Sequence, residues 1–393
     1  MRVVQVNCVY PTGSTGKIVR SIHLNAIKQG WDSYVFYGRG ERIHEPNVQK
    51  FSTEVEAKCH SLFSRATGEQ FSYSFFSTKH LISRIQSLNP DVVHLHCLNG
   101  HCVNLYHLMN YLKQREIKTV LTLHAEIMHT AGCEHAVDCE RFKAICENCT
   151  VVQGKITRAF RDDAKVCFLK MKHVMDGFKT LTVVGVSDWL LDRAKQSGIF
   201  KDCECHFETV FNGVDTEIFK KKEAFGKLEC GSSSPLILHV TPNFNHRLKG
   251  GERVIKFAQL HPEWQFLIVG YNGNHSLPNN IKTMRFTKDM DELVDIYNQA
   301  DVTLLTSVRE TFSMVCAESL CCGTPVVGFL AGGPESISLK QYSQFVQQDD
   351  YQALTSAVEG CLYKKIPMAE MKDVYKCYDE ETMVNRYFEI YSK

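Results

Sequence analysis

Ser307-Val308-Arg309-Glu310-Thr311-Phe312-Ser313-Met314-Val315-Cys316-Ala317-Glu318-Ser319-Leu320 runs into Cys321-Cys322-Gly323-Thr324-Pro325-Val326-Val327. The apolar run Asp301–Thr306 ahead of it reads as a buried strand, and Gly323 with Pro325 beyond it reads as a helix stop. Glu310 then falls in the strand-to-helix loop, over the edge where open α/β sheets bind ligands. Glu318 stands eight residues further on, roughly 2.2 helical turns at about 3.6 residues per turn. The first helical residues offer unpaired N–H groups and a positive dipole end to an anion, while the two carboxylates accept from hydroxyls. A polyhydroxylated, phosphorylated ligand suits that mixture.

The same grammar extends in both directions. Short apolar runs at Val3–Val6, Ser33–Tyr37, Asp91–His96, Lys118–His124 and Leu181–Val186 alternate with helical patterns such as Lys17–Lys28 and Val103–Lys113. The rhythm restarts at Pro235–Val240, Trp264–Val269, Ile281–Phe286, Asp301–Thr306 and Thr324–Phe329. Such alternation implies parallel sheets covered on both faces, hence two doubly wound units in series. The polar stretch 205–233, with the Asn212-Gly213 turn signal and Gly231-Ser232-Ser233-Ser234-Pro235, is the expected seam. Met383, Val384, Tyr387, Phe388 and Tyr391 recur at helical spacing in Glu380–Tyr391, a terminal helix that needs a surface to pack on.

At 393 residues the chain has room for two cores. Its 44% hydrophobic and 23% charged residues exclude a disordered or fibrous protein. Forty-five Lys and Arg against 44 Asp and Glu leave a net +1, which argues against a surface built as a footprint for nucleic acid. The 17 cysteines are odd in number, so a fully paired disulfide framework is impossible and a reducing, cytoplasmic setting is expected. Neither a secretory leader pattern at Met1–Asn7 nor a run of ~18 apolar residues is visible.

The joint pattern resembles the retaining glycosyltransferases of family 4, sugar-nucleotide enzymes of the GT-B fold. Their Glu-x7-Glu signature is matched by Glu310 and Glu318, with the Phe312 context, Gly323-Thr324-Pro325-Val326-Val327 and Gly332-Gly333-Pro334-Glu335. Ser187-Asp188-Trp189-Leu190 and Asn212-Gly213-Val214-Asp215-Thr216 resemble the family's segment leading into the second domain. The resemblance implies two Rossmann-like domains facing across a cleft: 1–205, with 376–393 returning onto it, on the acceptor side, and 206–375 for the nucleotide sugar. It implies hexosyl transfer from a nucleoside diphosphate sugar, with a uridine donor the commonest choice, retention at the anomeric carbon and no catalytic metal. The polysaccharide-assembly branch points to a glycan or lipid-linked glycan acceptor in surface polysaccharide synthesis.

Residue roles follow from the same resemblance. Lys249, with Arg247, would hold the donor diphosphate, although Asn243 stands nearer the usual position of the arginine. Glu310 would serve the donor sugar or the developing positive charge, and Glu318 the ribose hydroxyls. Backbone groups of Phe312, Ser313, Met314 and Val315 would orient sugar and phosphates. The turn Pro11-Thr12-Gly13-Ser14-Thr15-Gly16-Lys17 is read from its glycines as a phosphate-approaching loop at a helix start, and by resemblance places Gly16 nearest the diphosphate or acceptor. His124 would face the anomeric centre, with His96 and His101 as weaker acceptor-side candidates and His94 as a histidine satisfied within the sheet.

Two further signals stand apart. Cys133-x5-Cys139-x6-Cys146-x2-Cys149 offers four thiols that could close a structural zinc site, and a similar cysteine segment belongs to the polysaccharide-assembly branch. Redox pairing and unligated thiols are the alternatives. In 155–179, Ile156, Phe160, Ala164, Cys167, Met171, Met175 and Phe178 form an apolar stripe. Seven cations there face three Asp, so the segment is either a core helix or a peripheral membrane contact at the inner face of the membrane. The rival functions are a nucleotide-dependent oxidoreductase, which would need the missing dinucleotide fingerprint, and a zinc-containing nucleic-acid-binding protein, which the charge balance disfavours.

Overall fold

The computed structural model describes residues 1–149, 163–223, 234–285, 287 and 289–393. They divide into two compact units, Met1–Val210 with Val384–Lys393 and Phe211–Met383.

Unit 1 is built on seven parallel strands: β1 (Arg2–Asn7), β2 (Asp32–Tyr37), β3 (Val48–Lys50), β4 (Val92–Leu95), β5 (Lys118–Leu123), β6 (Leu181–Gly185) and β7 (His206–Thr209). Their order is β3-β2-β1-β4-β5-β6-β7. Helices α1 (Gly13–Lys28), α2 (Glu54–Thr67), α3 (Phe75–Leu88), α4 (Leu105–Gln114), α5 (Ile127–Thr130), α6 (Ala164–Met175) and α7 (Asp188–Gln196) connect and cover them. Val3 pairs with both Ser33 and Val92, so chain order reverses on either side of β1 and opens a ligand crevice at the strands' carboxyl ends.

Unit 2 repeats the plan with β8 (Leu236–Val240), β9 (Gln265–Val269), β10 (Ile281–Met284), β11 (Val302–Leu305), β12 (Val326–Phe329) and β13 (Ser343–Val346) in the order β10-β9-β8-β11-β12-β13. Its helices are α8 (Gly251–Leu260), α9 (Met290–Gln299), α10 (Met314–Cys321), α11 (Gly333–Ile337), α12 (Tyr351–Cys361) and α13 (Met371–Tyr378), and α14 (Glu380–Ser392) closes the chain. The reversal here lies at β8. The central strands β4, β6, β11 and β12 are buried on both faces, as continuous Val/Leu/Ile runs in parallel sheets must be.

The doubly wound architecture expected from the alternating pattern is therefore present twice. The short edge strands β3, β7 and β13 had no sequence expectation. Strand Lys118–His124 stops at Leu123, leaving His124 just beyond the sheet, and Phe286 lies outside the described residues. The terminal helix buries its apolar row: Met383, Val384, Tyr387 and Tyr391 are all 3% exposed or less. From Val384 onward it belongs to unit 1, where Trp31 and Phe388 pack with ring centroids 4.4 Å apart and the Tyr391 hydroxyl meets His94 Nδ1 at 2.6 Å.

The apolar stripe of 155–179 is core wherever it is described. Cys167, Met171, Met175 and Phe178 are fully buried, and residues 155–162 fall outside the described set. Among the described residues, Lys165 pairs with Glu147, Lys170 with Glu69, Lys172 with Asp202 and Lys179 with Glu204. The described part of the stripe is therefore taken up by the core. Among the described residues no helix is long and apolar enough to cross a membrane.

Candidate functional site

In unit 2 the loop between β11 and α10 carries Glu310 at the carboxyl edge of the sheet. Its backbone is fixed in both directions, Glu310 N–H donating to Ala331 O at 3.0 Å and Gly333 N–H donating to Glu310 O at 2.9 Å. Gly333 permits this contact, because a Cβ there would lie 2.4 Å from the Thr311 carbonyl carbon. Glu335 holds the opposing turn by accepting from Gly332 N at 2.6 Å and Ala331 N at 3.1 Å. The Gly332-Gly333-Pro334-Glu335 stretch thus acts as a clamp on the Glu310 loop.

The Glu310 side chain accepts from Lys249 Nζ at 2.7 Å and from Ser307 Oγ at 2.9 Å. Lys249 ends a one-turn 3-10 helix, Arg247–Lys249, ahead of α8. Gly250 follows with φ +68°, and a Cβ there would stand 2.0 Å from Thr306 O; only glycine lets the lysine-bearing turn approach β11 so closely. Arg247 is exposed on the same turn. Asn243, also exposed, accepts from Asn272 Nδ2 at 3.3 Å.

Phe312 and Ser313 prepare the start of α10. The Phe312 side chain is 3% exposed and packs edge-on to Phe211, so its ring is taken up by the core of unit 2. Ser313 has φ +87°, a region costly for a residue with a Cβ and found where surroundings enforce it, often at functional sites. Its Oγ accepts from Cys316 N at 3.3 Å as the N-cap, leaving the first-turn N–H groups of half-buried Met314 and Val315 pointing out of the helix start. Glu318 is half-buried and takes a hydrogen bond from the Tyr297 hydroxyl at 3.0 Å.

His239, in β8, was not anticipated. It is 3% exposed, bonds Leu304 O through Nδ1 at 3.0 Å, and keeps Nε2 without a hydrogen-bond partner. Burial, with the charge of Lys249 adding to it, pushes its pKa down to about 4. A lone histidine in an apolar strand gives no signal until Lys249 and Glu310 are brought beside it.

Unit 1 has its own edge. The turn after β1 enters α1 at Gly13, where φ is +70°, and buried Gly16 lets the Val9–Pro11 backbone lie against the helix, since a Cβ would come within 3.0 Å of the Pro11 carbonyl carbon. His124 Nε2 meets His96 Nδ1 at 3.3 Å, and His96 Nε2 meets Gln5 Oε1 at 3.3 Å. Burial lowers His124 to about 4 and His96 well below its ordinary value, so both are neutral at neutral pH. His94 is satisfied inside the sheet by Tyr391 and by Thr122 at 2.7 Å. His101 does not join this chain; its ring packs against His60, 5.1 Å between centroids.

Among the described residues, no group of three or more His, Cys, Asp or Glu is placed to hold a metal ion. Cys133, Cys139, Cys146 and Cys149 are each half-buried. A charge network the sequence did not reveal also ties this loop to α7. Fully buried Glu126 accepts from Arg193 Nε at 2.7 Å and Ala136 N at 2.7 Å, and Arg193 also reaches Glu140 at 2.9 Å. The Arg193 guanidinium lies over the Phe142 ring, 4.6 Å from its centroid. Burial opposes ionisation of Glu126, but His129, Arg193 and the Ala136 N–H override it and hold the carboxyl below its usual range.

Residues 237–364 match the family model of the group 1 glycosyl transferases. The chain is 20% identical to the putative colanic acid biosynthesis glycosyl transferase WcaC of Escherichia coli K12, over 89% of this chain and 88% of that one. Sucrose-phosphate synthase from Thermosynechococcus elongatus superposes with TM-score 0.70 at 15% identity, covering 100% of this chain and 98% of its own. Anabaena HepE in complex with UDP-glucose does so with TM-score 0.66 at 14% identity, covering 100% and 99%. The chain therefore has the two doubly wound sheets of the GT-B fold, and its residues 237–364 carry the group 1 glycosyl transferase domain.

Proposed function

We propose that the protein moves a hexosyl group from a nucleoside diphosphate sugar, a UDP-sugar, to a glycan or lipid-linked glycan acceptor in surface polysaccharide synthesis. Transfer occurs with retention at the anomeric carbon and needs no catalytic metal. The observation that carries this reading is the Lys249–Glu310 pair at 2.7 Å, held at the carboxyl edge of the second sheet beside the open start of α10. The bound sugar nucleotide of HepE and the colanic acid assignment of WcaC support the donor class and the pathway class.

The electrostatic problem is a departing diphosphate that gathers negative charge while the sugar carbon turns positive. Lys249 and Arg247 meet the phosphates, helped by the N–H groups of Ser313, Met314 and Val315, since charge held in place before the reaction lowers a barrier of this kind more than most other devices do. Glu310, released from Lys249 as the phosphates take over that cation, accepts from donor-sugar hydroxyls or steadies the developing positive charge. Glu318 receives the ribose hydroxyls, its second oxygen being oriented by Tyr297. Gly16 leaves space for the phosphates or acceptor at the unit 1 turn. His124, neutral and buttressed by His96, positions sugar or acceptor hydroxyls by hydrogen bonding rather than by charge.

The test is a panel of sugar nucleotides assayed for slow donor hydrolysis, read as free diphosphate released in the presence of chelator, followed by NMR of the anomeric configuration of the product. Release from one UDP-sugar with an α-linked donor giving an α-linked product is expected. No release from any donor, or an inverted product, overturns the reading.

A further inference from the structure

Helices α4 and α6 of unit 1, with the turn 69–75, wall a groove of about 710 Å³ that neither Gly16 nor His96 nor His124 borders. Along α4, His107, Asn110, Tyr111 and Gln114 line it, at the i, i+3, i+4 and i+7 spacing of one helix face. His173 lines it from α6. Asn110 and Tyr111 are half-buried and the other three exposed, and among the described residues none of the five side chains makes a hydrogen bond or ion pair. A helix face turned to bulk water is ordinarily charged. This one carries two amides, an imidazole and a phenol, all without partners.

The groove has a fixed shape. Tyr106 and Val174, both buried, form its base. The Tyr106 hydroxyl donates to Cys167 O at 3.4 Å, and Lys113 Nζ donates to His173 O at 3.1 Å and Asp176 O at 3.0 Å, which holds α4 on α6. In the turn, Phe71 and Ser74 have φ +60° and +63°, conformations costly for residues with a Cβ and kept where surroundings enforce them, often at ligand clamps. The enforcement is visible: Asn104 Nδ2 donates to Ser72 O at 2.7 Å and Leu105 N to Phe71 O at 3.0 Å. The Tyr73 hydroxyl lies 2.7 Å from Thr67 Oγ1, which sets the ring that borders the groove.

The lining selects a ligand class. One lysine and one carboxylate border the groove, Lys170 and Glu69, and they hold each other at 2.6 Å. A phosphate or carboxylate ligand would therefore meet no unpaired lysine or arginine. An extended peptide needs a sheet edge or a row of apolar pockets, and these helical walls offer neither. Side-chain amides and imidazoles both donate and accept, as sugar hydroxyls do, while the rings of Tyr73, Phe75 and Tyr111 present apolar faces to sugar C–H groups. From His107 to Gln114 the wall runs roughly 10 Å at about 1.5 Å per residue, which suits several linked sugars rather than one. Because α4 follows β4, its His107 end lies toward the carboxyl edge of the sheet. A chain lying in the groove leads to that edge.

We propose that the α4–α6 groove of unit 1 binds a neutral oligosaccharide, holding a stretch of already assembled glycan away from the reacting carbon. Its role rests on the reading that the acceptor is a glycan; its binding does not, and is read without donor or turnover. The experiment is an array of neutral oligosaccharides built from hexoses, 6-deoxyhexoses and N-acetylhexosamines, with their monosaccharides and with uronic-acid and phosphorylated glycans printed beside them. Wild-type full chain should bind a neutral series, more tightly as the oligosaccharide lengthens. Asn110→Ala/Gln114→Ala should weaken that binding roughly 25-fold, at about fivefold per hydrogen bond, and Tyr111→Ala by roughly tenfold. Calorimetric affinity for free UDP should be the same in all three proteins. The amide pair has no partner to lose, so the melting temperature of that variant should match wild type and keep the test valid even where Tyr111→Ala is destabilised. No neutral oligosaccharide bound, binding by the amide variant equal to wild type, or tighter binding of the acidic glycans overturns the proposal. Donor hydrolysis without glycan binding would remove this site and leave the transfer reading standing, whereas glycan binding lost in the variants, with no donor hydrolysed, would do the reverse.

Discussion

Lys249 Nζ stands 2.7 Å from Glu310 Oε1, and the pair is only partly shielded, at 29% and 17% side-chain exposure. The two residues are 61 positions apart and come from separate strand-to-helix loops. Each loop is held by a glycine contact with no room for a Cβ, Gly250 against Thr306 and Gly333 against Thr311. An ion pair of this exposure contributes little to stability. Its geometry has value as a preset arrangement of one cation and one acceptor at an open helix start.

Lys249→Ala should therefore weaken binding of the free nucleoside diphosphate by roughly 10–100-fold, the worth of a charge-assisted contact of about 1.5–3 kcal/mol. Titration calorimetry needs no acceptor. Unchanged affinity would place the phosphates elsewhere. Glu310→Gln and Glu318→Ala should leave the melting temperature near wild type while lowering transfer by about 10²–10³-fold, the scale seen when a transition-state contact is lost. Wild-type turnover in both would remove the site assignment.

The two sheets were legible because buried parallel strands are apolar throughout and the helices between them keep a clear period; β3, β7 and β13 were not, being three or four residues long with mixed burial. The Glu310–Glu318 motif was legible through its spacing, but Tyr297 beneath Glu318 and His239 beside Lys249 are long-range neighbours that no local pattern marks. Periodicity found the stripe Cys167, Met171 and Met175 and left open which way it faced. The core took it.

Glu126 and Arg193, 67 residues apart, give the cysteine-bearing loop its anchor. Arg193→Ala leaves a buried carboxylate without its cation and should cost about 3–5 kcal/mol, read as a fall in the denaturation midpoint, whereas chelator should leave the wild-type midpoint unchanged. A chelator-induced drop matching that of Arg193→Ala would show that the thiols, and not the ion pair, hold the loop. Because the folded Glu126 carboxyl lies below its unfolded value near 4.5, its contribution is present above about pH 4.5 and is lost as pH falls through the folded value. The variant should lack that part of the acid dependence.

Gly250→Ala tests the positioning of Lys249. At φ +68° an alanine is strained by about 1–3 kcal/mol, and its Cβ would meet Thr306 O at 2.0 Å, so the turn must move and carry the lysine with it. Diphosphate affinity should fall as in Lys249→Ala, together with a lowered melting temperature. Loss of stability with affinity unchanged would show that the turn relaxes without displacing the lysine.

His124 supplies the last prediction. Burial holds its pKa at about 4, and the histidines nearest it, His96 and His94, are held well below their ordinary value, by burial first and by neighbouring histidines second. All three are neutral at neutral pH. The profile of kcat against pH should therefore show no inflection near 6.5, the ordinary histidine value, and should stay level from neutral pH down to about 5 before falling as His124 charges. Stability follows the same sign: these histidines take up protons in the unfolded chain from about pH 6.5 but in the folded chain only near 4 or below. Folding free energy is then full above about pH 6.5 and declines as pH falls toward the folded values. His124→Asn, which keeps a hydrogen-bonding side chain without a titrating ring, should lower kcat and flatten the acid limb of the rate profile. An unchanged acid limb in that variant would assign the limb to another group, and a wild-type inflection near pH 6.5 that His124→Asn removes would mean that the ring is charged in turnover and acts by charge rather than by hydrogen bonding.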